Sequence, residues 1–509
     1  MLQPNTSQSK RSIWDGIDRE AFECELDALH RTKFVPEPQI LEKEEWPRSR
    51  KTGFLEFGVE LQLADDIAFI SAHEYGVEYV TAATVEIGIP GGLTIRLAAN
   101  EGVCKKVQDA WAQLMPLLER CSAKGQCASK RRWPVTDLIQ ALSRDKCTDD
   151  AFNIVTKLNK NRILGRLESR HFERPRYQKG LGRGALWTRF ERLLRSTVHS
   201  DDSDVALLHR QIADFRVACL RVEESRANLD AIKCAVKSAY QLTVDGYSLL
   251  NRLQNAKVTF HVMDKREVRE INKLGNYWRI CHDLARLSRS SLRPFANLRL
   301  ELVDPFAASI AHGVTKPRHV HAEVQILVHY ETKGGPIWPR AIGVSKEACF
   351  LCSSLIKSHG LFFVSKAHRQ VYPQWTVPDL PEYSPESLGR LQRALLSVKN
   401  EVASVLREAR GSRTFRPCPM QSSTNLHKPN LPTPSVTTIL SATTGGTQTP
   451  RTGTRLPPEN ATYDRPVAES SRSHEQSVHY GTRRSPRSSR INDVSVSSES
   501  PHLSSASIC

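Results

Sequence analysis

The feature that most constrains this chain is a histidine at position 321 followed, 28 residues later, by Cys349-Phe350-Leu351-Cys352. One imidazole and two thiolates make a zinc-ligand set that leaves a fourth position open, as catalytic zinc sites do. Glu323 stands two residues beyond the histidine. A carboxylate there is not needed as a ligand and is free to move protons at the open position. The chain holds a single C-x-x-C, and another H-x-E, His171-Phe172-Glu173, has none at such a distance after it. A fold that uses these residues must bring the two segments together across whatever lies between them. Two other readings stand beside this one: a closed Cys2His2 site completed by His312, His319 or His359, and a pair of ordinary buried cysteines.

The local patterns say how the segments can meet. Asn297 to Val303 alternates, with Leu298, Leu300 and Leu302 on one face, and reads as a half-buried strand. His321 to Thr332 reads as a helix, Ile337 to Val344 as a strand, Glu347 to Ser358 as a helix and Leu361 to Val364 as a strand. Such alternation implies a sheet with helices packed against it. Cys349 and Cys352, three apart, share one helix face. A helix N-terminus also favours their thiolates. His321 and Glu323 are two apart and do not face each other in a regular helix. They converge only if the helix begins there.

The runs HAEVQIL (321–327), GVSKEACFLC (343–352) and SHGLFFVSKAHRQVYPQWTVPD (358–379) carry a family. They resemble the nucleic acid and nucleotide deaminase superfamily with the cytidine deaminase-like fold, and within it a largely fungal branch related to a bacterial deaminase family. The resemblance is strong over about residues 295 to 380 and looser over the helices before them. It implies a three-layer α/β/α catalytic domain, one Zn2+ per domain and hydrolytic deamination of a base. His321, Cys349 and Cys352 match the family's ligand positions, and Glu323 matches its proton shuttle. One departure is Ala348, where the common pattern has proline before the first cysteine. Proline is not a ligand, so metal binding survives the change, while substrate preference does not carry over. His359, Tyr372 and Trp375 are candidates for lining the base pocket, with core packing the alternative for the two aromatics.

The rest of the chain divides by composition into a polar segment (1–50), a small α+β region (51–121), a basic and helical accessory region (122–290), the deaminase-like zinc domain with its C-terminal helix (291–410) and a disordered tail rich in Ser, Pro and Arg (411–509). In the α+β region, Tyr79 to Ile87 and Leu93 to Leu97 flank Pro90-Gly91-Gly92 as a hairpin, with a helix after them from Val103 to Leu118. Leu207 to Val222, Tyr247 to Leu253 and Ile271 to Leu287 read as helices. Arginines interleaved with Phe172, Tyr177, Trp187 and Phe190 suggest base stacking, against the plainer reading of a buried aromatic face. A net charge of +17 favours a polyanionic partner. Single-stranded DNA or RNA is therefore the expected substrate, with free nucleosides or nucleotides, or a non-catalytic zinc scaffold, as rivals. Twelve scattered cysteines and an N-terminus without an apolar core fit an intracellular protein, nuclear or cytoplasmic. No run of apolar residues is long enough to span a membrane.

Overall fold

A hairpin sits at the centre of the molecule. Strands β2 (Thr81–Ile87) and β3 (Leu93–Ala99) are built from β-branched and small apolar residues. Gly91 turns the chain between them with φ at 114°, a conformation that only glycine adopts freely. The computed structural model describes residues 11–47, 55–88, 91–129, 136–169, 184–195, 203–243, 249, 252–253, 266–290, 294–308, 317–334 and 338–411. Among them β3 also pairs in parallel with β4 (Leu298–Leu302), and β2 pairs antiparallel with β5 (Gly343–Val344). The sheet is mixed, in the order β4-β3-β2-β5. A parallel bridge between Ala341 and Phe363 continues it one segment further. A second, two-stranded sheet pairs β1 (Gln39–Ile40) with β6 (Lys366–Ala367).

The described residues form twelve α-helices. Helix α1 is Arg19–Thr32 and α2 is Phe57–Ser71. Seven follow β3: α3 (Lys105–Ser129), α4 (Thr136–Leu158), α5 (Lys160–Leu167), α6 (Leu186–Arg195), α7 (Ser203–Glu224), α8 (Leu229–Gln241) and α9 (Arg266–Ser290). The last three are α10 (Ala322–Lys333), α11 (Phe350–His359) and α12 (Pro385–Gly411). Because side chains alternate across a strand, the sheet divides two cores. Ala83, Val85, Ile95 and Leu97 join α2 and the accessory helices on one face. Ala82, Ala98 and Val344 join α1, α10, α11 and α12 on the other.

This arrangement relates the segments in a way the composition does not show. The hairpin belongs to the 51–121 stretch, yet it supplies the two middle strands of the sheet that carries β4 and β5. Helices α3 to α9 are thus inserted between neighbouring strands of one sheet. Residues 57–71, which read only as broken apolar patches, form one helix buried along its whole length. Its carboxylates are all engaged. Glu60 accepts from Arg340 and, at 3.0 Å, from the Ala341 N–H, while Asp65 accepts from the Val344 N–H at 3.0 Å. Asp66 pairs with Arg279 of α9 at 2.6 Å. Gly343 lets α2 lie directly on β5: a Cβ there would fall 1.9 Å from the Ala64 carbonyl carbon.

Residues 11–47 are also part of the fold. The amphipathic piece expected around Ala21 to Leu29 is α1, capped by Asp18 and packed into the same core as α12. The strand expected over Leu361 to Val364 is reduced to the bridge at Phe363, with regular pairing only at β6. The cysteines are not all thiols, since Cys121 and Cys147 form a disulfide. The tail read as disordered, with the 170–183 portion of the basic stretch and the greater part of 244–265, lies outside the described residues. No helix among the described residues is long and apolar enough to cross a membrane.

Candidate functional site

His321 is the N-cap of α10. Its backbone is still extended (φ −68°, ψ 154°), while its carbonyl already accepts from the Gln325 N–H at 2.9 Å. Asn100, at the end of β3, fixes this helix start. Its side-chain oxygen accepts from the Ala322 N–H at 2.8 Å, and its carbonyl accepts from the Gln325 side-chain amide at 3.1 Å. A residue at the cap and one in the first turn point differently from two residues inside a helix. His321 and Glu323 therefore turn toward the same sulfur, Cys352 Sγ, at 3.4 Å from Nδ1 and 3.8 Å from Oε2. The sequence pattern gave no hint of Asn100, because its role depends on the tertiary placement of β3.

Cys349 occupies the same position on α11. It is the N-cap, and its Sγ accepts from the Cys352 N–H at 3.4 Å. The chain beyond α11 folds back over this end. Ala348 donates to the Lys366 carbonyl at 3.0 Å and accepts from the His368 N–H at 3.0 Å, and Phe350 donates to the Gln370 carbonyl at 3.1 Å. Proline at 348 would lack the N–H that joins this helix start to β6. The departure from the family pattern thus has a structural use.

The three potential ligand atoms lie within 4.8 Å of one another. His321 Nδ1 is 3.6 Å from Cys349 Sγ and 3.4 Å from Cys352 Sγ. Zinc bonds of about 2.0 Å to nitrogen and about 2.3 Å to sulfur, set at tetrahedral angles, put N and S about 3.5 Å apart. Both N···S distances fit a zinc ion. Among the described residues no fourth His, Cys, Asp or Glu joins them.

The electrostatics suit the same chemistry. Burial resists ionisation of Cys349, but hydrogen bonds from Cys352 and the charge of His321 outweigh it and hold its thiol well below the ordinary value. Burial and the neighbouring Cys349 push the Cys352 thiol up. Burial works against the charged imidazole of His321, yet Cys349 more than compensates and raises it. Burial, with Cys349 adding to it, lifts the carboxyl of Glu323 above its usual range. A carboxyl raised in this way holds a proton more readily than an exposed one.

The other expected site residues part company. The Tyr372 ring lies 6.2 Å from that of His321 and 5.9 Å from that of His368, half-buried beside the ligands. Trp375 is 1% exposed and packs into the core that holds α10 and α11, as in the core-packing alternative. His359 is at the far end of α11, buried and bonded to Glu331, and contributes nothing to the ligand cluster. His319 is in a backbone bridge with Trp375, and His312 lies outside the described residues. In the basic-aromatic stretch, Phe190 is buried, while Trp187 donates to Glu223 at 3.0 Å and carries Arg216 over its ring. The described part of that stretch packs inward.

A family model described as OTT_1508-like deaminase matches residues 320–379, the span that holds His321, Glu323, Cys349 and Cys352. No curated protein and no solved structure matches the chain.

Proposed function

We propose that the chain is a zinc-dependent hydrolytic deaminase of a nucleobase. The observation that carries this reading is the placement of Glu323, 3.8 Å from Cys352 Sγ, beside a His/Cys/Cys set whose spacing fits tetrahedral zinc. The match of residues 320–379 to a deaminase family model supports it. So does a sheet covered by helices on both faces, as the cytidine deaminase-like fold requires. His321, Cys349 and Cys352 would hold the metal.

Bound zinc supplies Lewis-acid activation of water at its open position. Glu323, buried beside Cys352, would take one proton from the water and pass it to the ring nitrogen beside the carbon under attack; it would then take the second proton from the oxygen that has added and pass it to the departing amino group. The amidine-like carbon exchanges its amino group for oxygen, and ammonia leaves. Tyr372 stands where a base could rest against its ring. Asn100 holds the start of α10 in place. The net charge of +17 supports a phosphate-bearing substrate, with single-stranded DNA or RNA the first to try and free nucleotides the next.

The test is metal analysis of the purified full-length chain, with conversion assays on single-stranded oligonucleotides and free nucleosides, wild type beside Glu323→Ala. Zinc in both and conversion by the wild type alone supports the proposal. A non-catalytic zinc module would bind zinc and convert nothing, and properly folded protein without zinc would sink both readings.

A further inference from the structure

Where α5 meets α9, buried cations outnumber the carboxylate that pairs with them. Arg162, Arg166 and Lys273 are 3%, 2% and 1% exposed. The carboxylate among them is Glu270, itself 2% exposed, which pairs with Arg166 and, at 2.9 Å, with Lys273. Arg162 instead donates to the main-chain oxygens of Phe69 and Ala72 and lies over the Phe69 ring at 5.5 Å. Three buried cations around one carboxylate is an expensive arrangement in the absence of an anion. Burial shows in Lys273, whose ammonium is pushed down to about 8, and in Arg162, which is lowered by burial and by Arg166. Two donors in the cluster are also unused. The Tyr277 hydroxyl, on a residue with no exposed surface, and Arg166 Nε have no hydrogen-bond partner.

The cluster borders the candidate site. Lys346 follows β5 and precedes Cys349 by three residues. It lies within electrostatic reach of Arg162, Arg166 and Glu323 at once. The chain between α2 and β2 ties these parts together. Tyr75 donates to the Arg162 carbonyl, Glu74 accepts from Asn161 at 2.8 Å, and Gly76 accepts from Lys346 at 3.5 Å.

We propose that Arg162, Arg166 and Lys273, extended by Lys346, form a cradle for the phosphate group of the substrate whose base is processed at Glu323. The proposal rests on the deaminase reading for the word substrate, and on the cluster itself for the phosphate. A phosphate carries enough acceptor oxygens and charge to engage guanidinium forks and an ammonium together. It would also give the Tyr277 hydroxyl and Arg166 Nε an acceptor. The phosphate can belong to a free nucleotide or to a nucleic acid strand. Arg162, Arg166 and Lys273 are buried, which favours a terminal phosphate over one inside a continuing strand. The cradle makes the inserted helices part of substrate selection.

The experiment has two arms on the full-length zinc-loaded protein. In the first, inorganic phosphate is titrated calorimetrically at constant ionic strength into wild type, Glu323→Ala, Arg162→Gln and Lys346→Gln. Wild type and Glu323→Ala should bind alike, and loss of either cation should weaken binding about 10-fold or more, as for a hydrogen bond to a charged group. Lys346 is half-exposed, so its variant keeps the test open if Arg162→Gln fails to fold. In the second arm, kcat/KM is compared for cytidine and adenosine, their 5′-monophosphates, and oligonucleotides with and without a 5′-phosphate. Arg162→Gln should lower kcat/KM about 10- to 100-fold on the phosphorylated substrate and less than about threefold on the nucleoside. Preference for the monophosphate, or for the base next to a 5′-phosphate, assigns the cradle to a terminal phosphate. Equal use of internal bases assigns it to the strand. Phosphate binding without conversion of any substrate upholds the cradle and removes the deaminase reading. Conversion without saturable phosphate binding, or equal losses on nucleoside and nucleotide, overturns the cradle and leaves the deaminase reading standing.

Discussion

The N-terminal and C-terminal ends of the α10–α11 pair each hold a buried carboxylate beside a histidine, and the two ends do opposite things. At the N-terminal ends, Glu323 meets His321 and two sulfurs. At the C-terminal ends, Glu331 meets His359 and Arg390, the latter from α12 at 2.6 and 3.1 Å. Both carboxylates are buried, at 4% and 3% exposure. Burial raises Glu323 with no guanidinium to offset it. Burial also opposes ionisation of Glu331, but hydrogen bonds from His359 and Arg390 prevail and hold its carboxyl at about 2. One carboxylate is left ready to exchange a proton, and the other is locked as an anion in a closed network. The pairing of an imidazole with a carboxylate is therefore no guide to chemistry by itself. What separates the ends is whether the donors around the carboxylate are already spent.

Substitutions can break this comparison, and the largest effect is expected at Glu323. Glu323→Gln should retain zinc and thermal stability while lowering kcat by about 10²- to 10⁴-fold, the range for loss of a general acid–base group. Steady-state kinetics with metal analysis checks both halves. Next in size, Glu331→Gln should leave kcat per folded molecule near wild type but destabilise by about 3 kcal/mol, because it leaves Arg390 and His359 without their anion. Chemical denaturation reads this directly.

The same residue fixes a pH dependence. The folded carboxyl of Glu331 lies near 2, below the ordinary 4.5, so its stabilisation is complete above about pH 4.5 and fades as pH falls toward 2. The stability gap between wild type and Glu331→Gln should shrink across that window. A gap that stays constant down to pH 2 would contradict the locked anion. The smallest effect is expected at Ala348→Pro. It restores the residue common among related deaminases but removes the N–H donated to Lys366, at a cost of about 1–3 kcal/mol. A melting temperature equal to wild type would show that the β6 contact does not support the Cys349 helix start.

Parts of this architecture were legible because they are local. The hairpin, the alternating strand at Leu298–Leu302 and both ligand-bearing helix starts follow from periodicity within a few residues. The demand that His321 and Glu323 stand at a helix beginning followed from their spacing alone. Helix α2 was not legible, since it is buried on every side and its acidic residues imitate loop polarity. Nor was the sheet, because β3 and β4 pair across the whole inserted helical region and strand pairing at that distance leaves no local signal. His359 stands apart from the His321/Cys349/Cys352 cluster for a simpler reason. It follows Cys352 by two helical turns, which keeps it on a similar face but carries it about 10 Å along the axis. Arg162, Arg166 and Lys273 carry no local signal of burial, since only the packing of α5 against α9 brings them to Glu270.

The most direct test sets Glu323→Gln beside Glu331→Gln in one experiment, with zinc content, melting temperature and base conversion measured on the same preparations. The account predicts zinc in both, conversion lost only at Glu323 and stability lost only at Glu331. Conversion by Glu323→Gln at the wild-type rate, or zinc absent from folded protein, would contradict it.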